Sequence, residues 1–406
     1  MNRKQLIILL LLFIAVGGVL WRVQSRRDQE ASSGAAGTGK KLLGESFPYN
    51  DVRQITIRQE TNQLNLVKKD DADVWRVRER DDYPANFSEI TGFLIKVGEL
   101  KVIQVEDIGA SQLARLQLAE AGQGTNSATV LELKDKSGKT MKTLLLGKKH
   151  IRQPTPQQAA QFGGEGFPDG RYVMLGNEGK QALLIGDALG NLEPKPELWL
   201  NKDFFKVERP KTIAVTFSEP TNSWKITREN EAGDWKFADA KSGETLDNIK
   251  AGGVSRPFES VTLEDVVSKN AKPEDNGLDK PTLVTVETFD DFVCTIKVGK
   301  KNGENYAVTM SVMANFPKER IPAKDEKPED KDKADKAWKD RQKQLDDKLT
   351  QAKAFEGRTY LVAAWNVDQL LKERKDLVAV KKEEEKKDAP KADDTPLPVP
   401  DLTPPK

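Results

Sequence analysis

The chain has 406 residues, and its 65 Lys and Arg against 64 Asp and Glu leave a formal net charge of +1. A balance this even excludes a protein that coats nucleic acid through bulk basicity, and no nucleic-acid partner is expected. One cysteine, Cys294, and one histidine, His150, exclude an internal disulfide, a Cys/His zinc cluster and a histidine-rich metal site, so no metal or other cofactor is expected.

Residues Leu6, Ile7, Ile8, Leu9, Leu10, Leu11, Leu12, Phe13, Ile14, Ala15, Val16, Gly17, Gly18, Val19, Leu20 and Trp21 form an apolar run between Arg3-Lys4 and Arg22. With its margins the run reaches about 18 or 19 residues, near the lower end of what spans a bilayer as a helix. Lipid offers the backbone no hydrogen-bond partner, so a span must be helical. A cleaved secretory signal shares the charged start and Leu-rich middle. Gly17-Gly18-Val19-Leu20-Trp21-Arg22, however, holds no small-x-small cleavage site. The run therefore reads as an uncleaved signal anchor, with membrane lipid as its partner. Positive charge on both flanks discriminates little between orientations. A long region after one N-terminal span is expected outside the cytoplasm, here in the periplasm beside a bacterial inner membrane. Residues 1–29 are thus the anchor and 30–46 a flexible tether, since the Gly, Ala and Ser of Glu30–Lys41 have no face to bury.

From Phe47 short strand patterns begin. Ile55-Thr56-Ile57, Leu64-Asn65-Leu66-Val67 and Val74-Trp75-Arg76-Val77 alternate at period two, as strands with one face on a core do. Asn86 is an N-cap candidate, and Ile90, Phe93, Leu94, Val97 and Leu100 make an apolar stripe at helical spacing.

Comparing the chain with itself reveals an internal copy. A shift of 160 positions lays Ile55 and Ile57 on Val215 and Phe217, Leu66 on Ile226, Trp75 on Trp235 and Val77 on Phe237. Leu145-Leu146-Gly147-Lys148-Lys149 resembles Lys297-Val298-Gly299-Lys300-Lys301, which marks a turn in each copy, and Gly170-Arg171-Tyr172-Val173 resembles Gly357-Arg358-Thr359-Tyr360-Leu361. The expected architecture is α+β: an N-terminal transmembrane helix, then two related strand-rich modules with packed helices, residues 47–207 and 208–380. Gly252, Gly253 and Pro257 interrupt the second copy where the first has its helix. An insertion at 316–354 opens with a solvated Lys, Glu, Asp and Pro stretch. It continues with Ala334, Trp338, Leu345, Leu349 and Ala352 along one side of a helix, a stripe expected to pack on its own module. The charged and Pro-rich tail, 381–406, is expected to be disordered.

Reactive chemistry finds little support. Gly34 through Gly39-Lys40 has phosphate-loop spacing, but Lys41 stands where a hydroxyl must reach magnesium. Gly164, Gly166 and Gly170 have the wrong spacing for a dinucleotide fingerprint. His150 lies among Lys148, Lys149 and Arg152 and reads as a surface-turn residue. The carboxylate clusters Asp70-Asp71-Asp73, Asp81-Asp82 and Asp290-Asp291 lack the ligand order of a calcium loop. Trp75 and Trp235 read as core residues rather than ligand platforms.

The Leu-rich anchor, the tether, Val74-Trp75-Arg76-Val77, and Tyr83-Pro84-Ala85-Asn86 opening a helix with Phe93-Leu94 and Leu100 together resemble the bacterial membrane-anchored proteins of domain of unknown function 4340. The resemblance covers most of Phe47 to Val378; the charged insertion and the tail depart from it. It implies an accessory role beside gliding-motility-type ABC transport systems, with ABC transporter subunits as partners, and it carries over no catalytic residue. A non-enzymatic accessory or scaffold protein is therefore expected. A module binding envelope glycan or peptidoglycan is the alternative, and a carboxylate hydrolase a third.

Overall fold

A computed structural model describes residues 37–69, 74–119, 127–153, 166–176, 181–322 and 326–379. The apolar run Leu6–Trp21, the Asp70–Asp73 cluster, Gly164 and the 381–406 tail lie outside the described residues. Among those described, no helix is long and apolar enough to cross a membrane. The fold is α+β and strand-rich.

Period-two alternation builds the first sheet. β1 (Gln54–Gln59), β2 (Asn62–Lys69) and β3 (Val74–Val77) form a meander that buries Ile55, Ile57, Leu64, Leu66, Trp75 and Val77 on one face. The intervening residues build a polar ladder on the other face, with the Thr56 hydroxyl 3.1 Å from Asn65 Oδ1 and Arg58 donating to Glu132 at 3.0 Å. The sheet is completed by β4 (Tyr83–Pro84), β5 (Val102–Asp107), β6 (Thr129–Lys134), β7 (Thr140–Arg152), β8 (Phe167–Leu175) and β9 (Gln181–Ile185), in the order β4-β3-β2-β1-β6-β7-β8-β9-β5. The second sheet contains β10 (Pro210–Thr216), β11 (Trp224–Thr227), β12 (Lys236–Phe237), β13 (Leu263–Val266), β14 (Thr282–Thr288), β15 (Phe292–Asn302), β16 (Asn305–Ala314) and β17 (Tyr360–Ala363). Its order is β12-β11-β10-β14-β15-β16-β17-β13. Strand for strand the two orders coincide, with β4 the one addition.

Strand register corrects the 160-residue alignment at its start. Ile55 and Ile57 face Leu66 and Leu64, whereas Ile213 and Val215 face Ile226 and Trp224, so the place of Ile57 is taken by Val215. The loop between β10 and β11 is longer by two residues. An even shift preserves which face each side chain takes, and this is why the offset still matched apolar with apolar.

The Gly-Lys-Lys motifs are bulges rather than turns. Leu146 pairs with Val173 and Lys149 with Arg171, so Gly147 and Lys148 together oppose Tyr172; in the same way Gly299 and Lys300 oppose Ala307. A Cβ at Gly147 would collide with Leu116 O, and one at Gly299 with Asn276 O. The motif recurs because another stretch of backbone crosses each bulge. The Gly-Arg resemblance does not correspond to a structural match: Gly170-Arg171 lies in β8, whose counterpart is β16, while Gly357-Arg358 precedes β17, the counterpart of β9.

The helix α1 (Phe87–Glu99) starts where Asn86 Oδ1 accepts the amides of Ser88 and Glu89, and it buries Ile90, Leu94 and Val97. In the second half Asp247 caps α2 (Asn248–Gly252) in the same way, and the helix stops after five residues at its glycines. The insertion forms α3 (Lys331–Lys353), which buries Leu345 and packs Leu349 and Ala352 on the same core. One contiguous cluster runs from Leu42 through both halves to Leu377. Leu42 and Leu43, within the stretch expected as tether, are buried, and Gly39 N–H donates to Val102 O on β5.

The C-terminal segment is pinned by two side chains. Trp224 Nε1 donates to Lys372 O at 2.7 Å. Arg374, 5% exposed, lies 4.7 Å over the Phe237 ring and donates to Asp239 and in two bonds to Glu244.

Gly299→Ala is expected to lose about 1–3 kcal/mol of stability in urea denaturation, because the backbone it meets cannot move aside as a side-chain tip could. A pH dependence follows from the Arg374 cluster. Its hydrogen bonds hold the Glu244 carboxyl well below its ordinary 4.5, at about 2. A depressed folded pKa means stability that is complete above about 4.5 and lost as pH falls toward 2. Urea midpoints measured across that window should decline with acid, and Arg374→Met should flatten the decline.

Candidate functional site at the junction of the two halves

The β3–β4 edge of the first sheet faces the β17–β13 edge of the second. Beyond β3 the turn carries two successive left-handed residues, Asp81 and Asp82, a conformation that Asp tolerates better than most. This turn presents Arg80, whose Nε and Nη2 donate to the two carboxylate oxygens of Asp265 at 2.6 and 2.7 Å. Both side chains are only about one-fifth exposed, so the fork is largely desolvated. Asp81 Oδ2 accepts from Lys269 N–H at 2.8 Å, and Lys202 Nζ donates to Glu264 O. The Arg358 guanidinium lies 5.4 Å from the centre of the Tyr83 ring. Burial pushes the Tyr83 phenol up to about 12 and lowers the Lys202 ammonium.

Beneath the polar contacts lies an aromatic cluster from both halves and the linker. Phe204 meets Tyr360 at 4.9 Å, Phe205 at 5.2 Å and Phe355 at 5.5 Å, all edge to face, while Phe205 stacks on Phe258 at 5.8 Å. Tyr83 joins through Tyr360 at 6.2 Å, and Tyr360 donates its hydroxyl to Phe355 O.

The same linker separates two concavities. One is an apolar cavity of about 260 Å³ lined by Phe204, Phe205, Phe292, Cys294, Ala352 and Phe355. At its polar end Lys348 pairs with Glu208 at 2.6 Å, holding that carboxyl below its usual range, and the buried Asp290 takes hydrogen bonds from Arg209 and Arg341. Burial pushes the Cys294 thiol up to about 11, which keeps it protonated and a poor nucleophile. The other is a polar cleft of about 620 Å³ with Arg209, Arg228, Glu231, Trp235, Arg256 and Glu259 on its walls. Arg228 lies 4.8 Å over the Trp235 ring.

The residues singled out from sequence are dispersed by the fold. Asp81 serves the junction, Asp82 pairs with Lys69, and Asp290 sits at the cavity mouth. His150 is on β7 rather than in a turn, its Nδ1 2.6 Å from Asp169 Oδ1. Trp75 is buried as expected, whereas Trp235 is only half-buried beside the cleft. Among the described residues no three or more His, Cys, Asp or Glu gather to hold a metal. The Arg80–Asp265 fork escaped sequence reasoning because its partners are 185 positions apart. Phe204-Phe205 was a usable signal, since an aromatic pair in a segment between two strand-rich stretches needs somewhere to be buried.

These features define a class: a two-sheet α+β body whose like-ordered sheets are locked edge to edge by a desolvated ion pair over shared aromatics. The chain belongs to the family described as domain of unknown function (DUF4340), which matches residues 75–281, just over half of its length. That span runs from β3 to the residue before β14 and so contains Arg80, Tyr83, Phe204 and Asp265. No curated protein and no solved structure matches the chain.

Arg80→Ala is expected to lose about 2 kcal/mol, because it strands a largely desolvated carboxylate. In a double-mutant cycle with Asp265→Ala, measured by urea denaturation, the second substitution should add much less than the first. Independence of the two would show that the fork does not join the halves.

Proposed function

We propose that this chain is a single-pass, membrane-anchored, extracytoplasmic accessory or scaffold protein of an ABC-type transport system, without chemistry of its own. The junction carries this reading. Separate domains in one chain hinge by default unless their interface is large and apolar. Here one hydrophobic cluster continues from half to half beneath the Arg80–Asp265 fork. Such a body can hold partner subunits at a set spacing, which is what a scaffold has to do. Support for attachment comes from the apolar run Leu6–Trp21, long enough in sequence for a signal anchor in a bacterial inner membrane. The family resemblance supports the partner class, and the periplasmic side suits a long region after one N-terminal span.

The tagged full chain, isolated from membranes at native expression in mild detergent, is expected to retain permease and ATPase subunits of a transporter. Its recovery alone, as a stable monomer, would overturn the proposal. An accessibility reporter fused after Lys406 should read outside the cytoplasm.

The polar cleft favours a second reading, envelope glycan or peptidoglycan binding, because it sets the Trp235 indole beside hydrogen-bonding charges. Retention of the full chain on cell-wall material, abolished by Trp235→Ala, would select it over the first.

A further inference from the structure

The cavity at the junction has the chemistry of a binding site. Phenyl rings and the buried Cys294 thiol make up part of its lining, charged groups the rest. Small side chains create the space: on the core face of β15, Cys294 lies between Val286 and Val312, and Ala352 of α3 lines the same cavity. Lys348, Gln351, Ala352 and Phe355 all line it from α3 and the residues just past its end. The insertion that departs from the family pattern is thus one of its walls.

Charge at the open end is uneven. Asp290 is matched by Arg209 and Arg341, and Glu208 by Lys348, while Arg209 also meets Glu231. Lys206, exposed, lines the same mouth and adds a further cation. A volume of 260 Å³ corresponds to about nine small groups at ~30 Å³ each.

We propose that this cavity binds a single-chain anionic amphiphile. A tail of about eight to ten carbons lies among Phe204, Phe205, Phe355 and Cys294, and a carboxylate-type head meets Lys206 beside the Lys348–Glu208 pair. The apolar lining desolvates the tail, at ~0.8 kcal/mol for each buried methylene. Lys206, the cation beyond the matched pairs, selects the sign of the head. No covalent step is involved, since Cys294 serves as wall.

The test is equilibrium binding of radiolabelled decanoate to the full chain held in lipid nanodiscs, with empty nanodiscs as reference. Saturable uptake of one decanoate per chain is expected, with decyltrimethylammonium bound at least about tenfold more weakly. Ala352→Trp, which fills the cavity, should abolish the specific uptake while circular dichroism stays unchanged. Lys348→Glu, an exposed change that does not depend on repacking, should weaken it by about tenfold. Uptake no greater than that of empty nanodiscs would overturn the proposal. So would uptake that both variants leave undiminished, or that is equal for the cationic and anionic heads.

Discussion

Two sheets that each bury one face could sit at the ends of a flexible linker, and the contact that prevents this is the Arg80–Asp265 fork over the Phe204–Tyr360–Phe355 cluster. An ion pair taken out of water gains little unless both charges are satisfied geometrically, and the planar guanidinium does this with two parallel bonds to one carboxylate. The aromatic cluster supplies apolar surface shared by the two halves, while the fork ties one edge to the other.

The duplication of the sheet accounts for much that is otherwise unconnected. Each half carries a capped helix after its first meander, a strand sent to the far edge, and a glycine bulge crossed by another segment. These recur because the same topology sets the same problem of close backbone approach twice. The halves differ in what lies between the last two strands of the long meander. In the first that connection is short; in the second it is α3, whose Leu345 and Leu349 pack on the core and whose last turn walls the cavity. The cavity therefore arises from a repeat modified at one loop, beside a junction that both halves share.

Several of the individual elements were legible in the sequence. Alternation found β1, β2 and β3, the Asn86 cap and its apolar stripe found α1, and the spacing of Leu345, Leu349 and Ala352 found α3. Self-comparison pointed to the strand order that the two sheets share, although the Gly-Arg match aligned strands that do not correspond and the first-strand offset was wrong by two residues. Each of these signals is local, carried by residues within one or two turns or strand pairs, so periodicity and capping chemistry suffice to read it.

The junction and the cavity were not legible, because they depend on residues that only the packed chain brings together. Nothing near Arg80 names Asp265, and nothing near Cys294 says that Ala352 and Phe204 will leave a space beside it. Composition and pattern by themselves determined the strand-rich α+β class and the positions of the opening strands, the capped helix and the inserted helix, since backbone hydrogen bonding and alternate burial act over short stretches. Tertiary structure alone decided that the Gly-Lys-Lys segments are bulges, that the two halves form one body, and where the charged and apolar linings face each other. Contacts between distant segments follow from topology, and no local pattern encodes the distance between them.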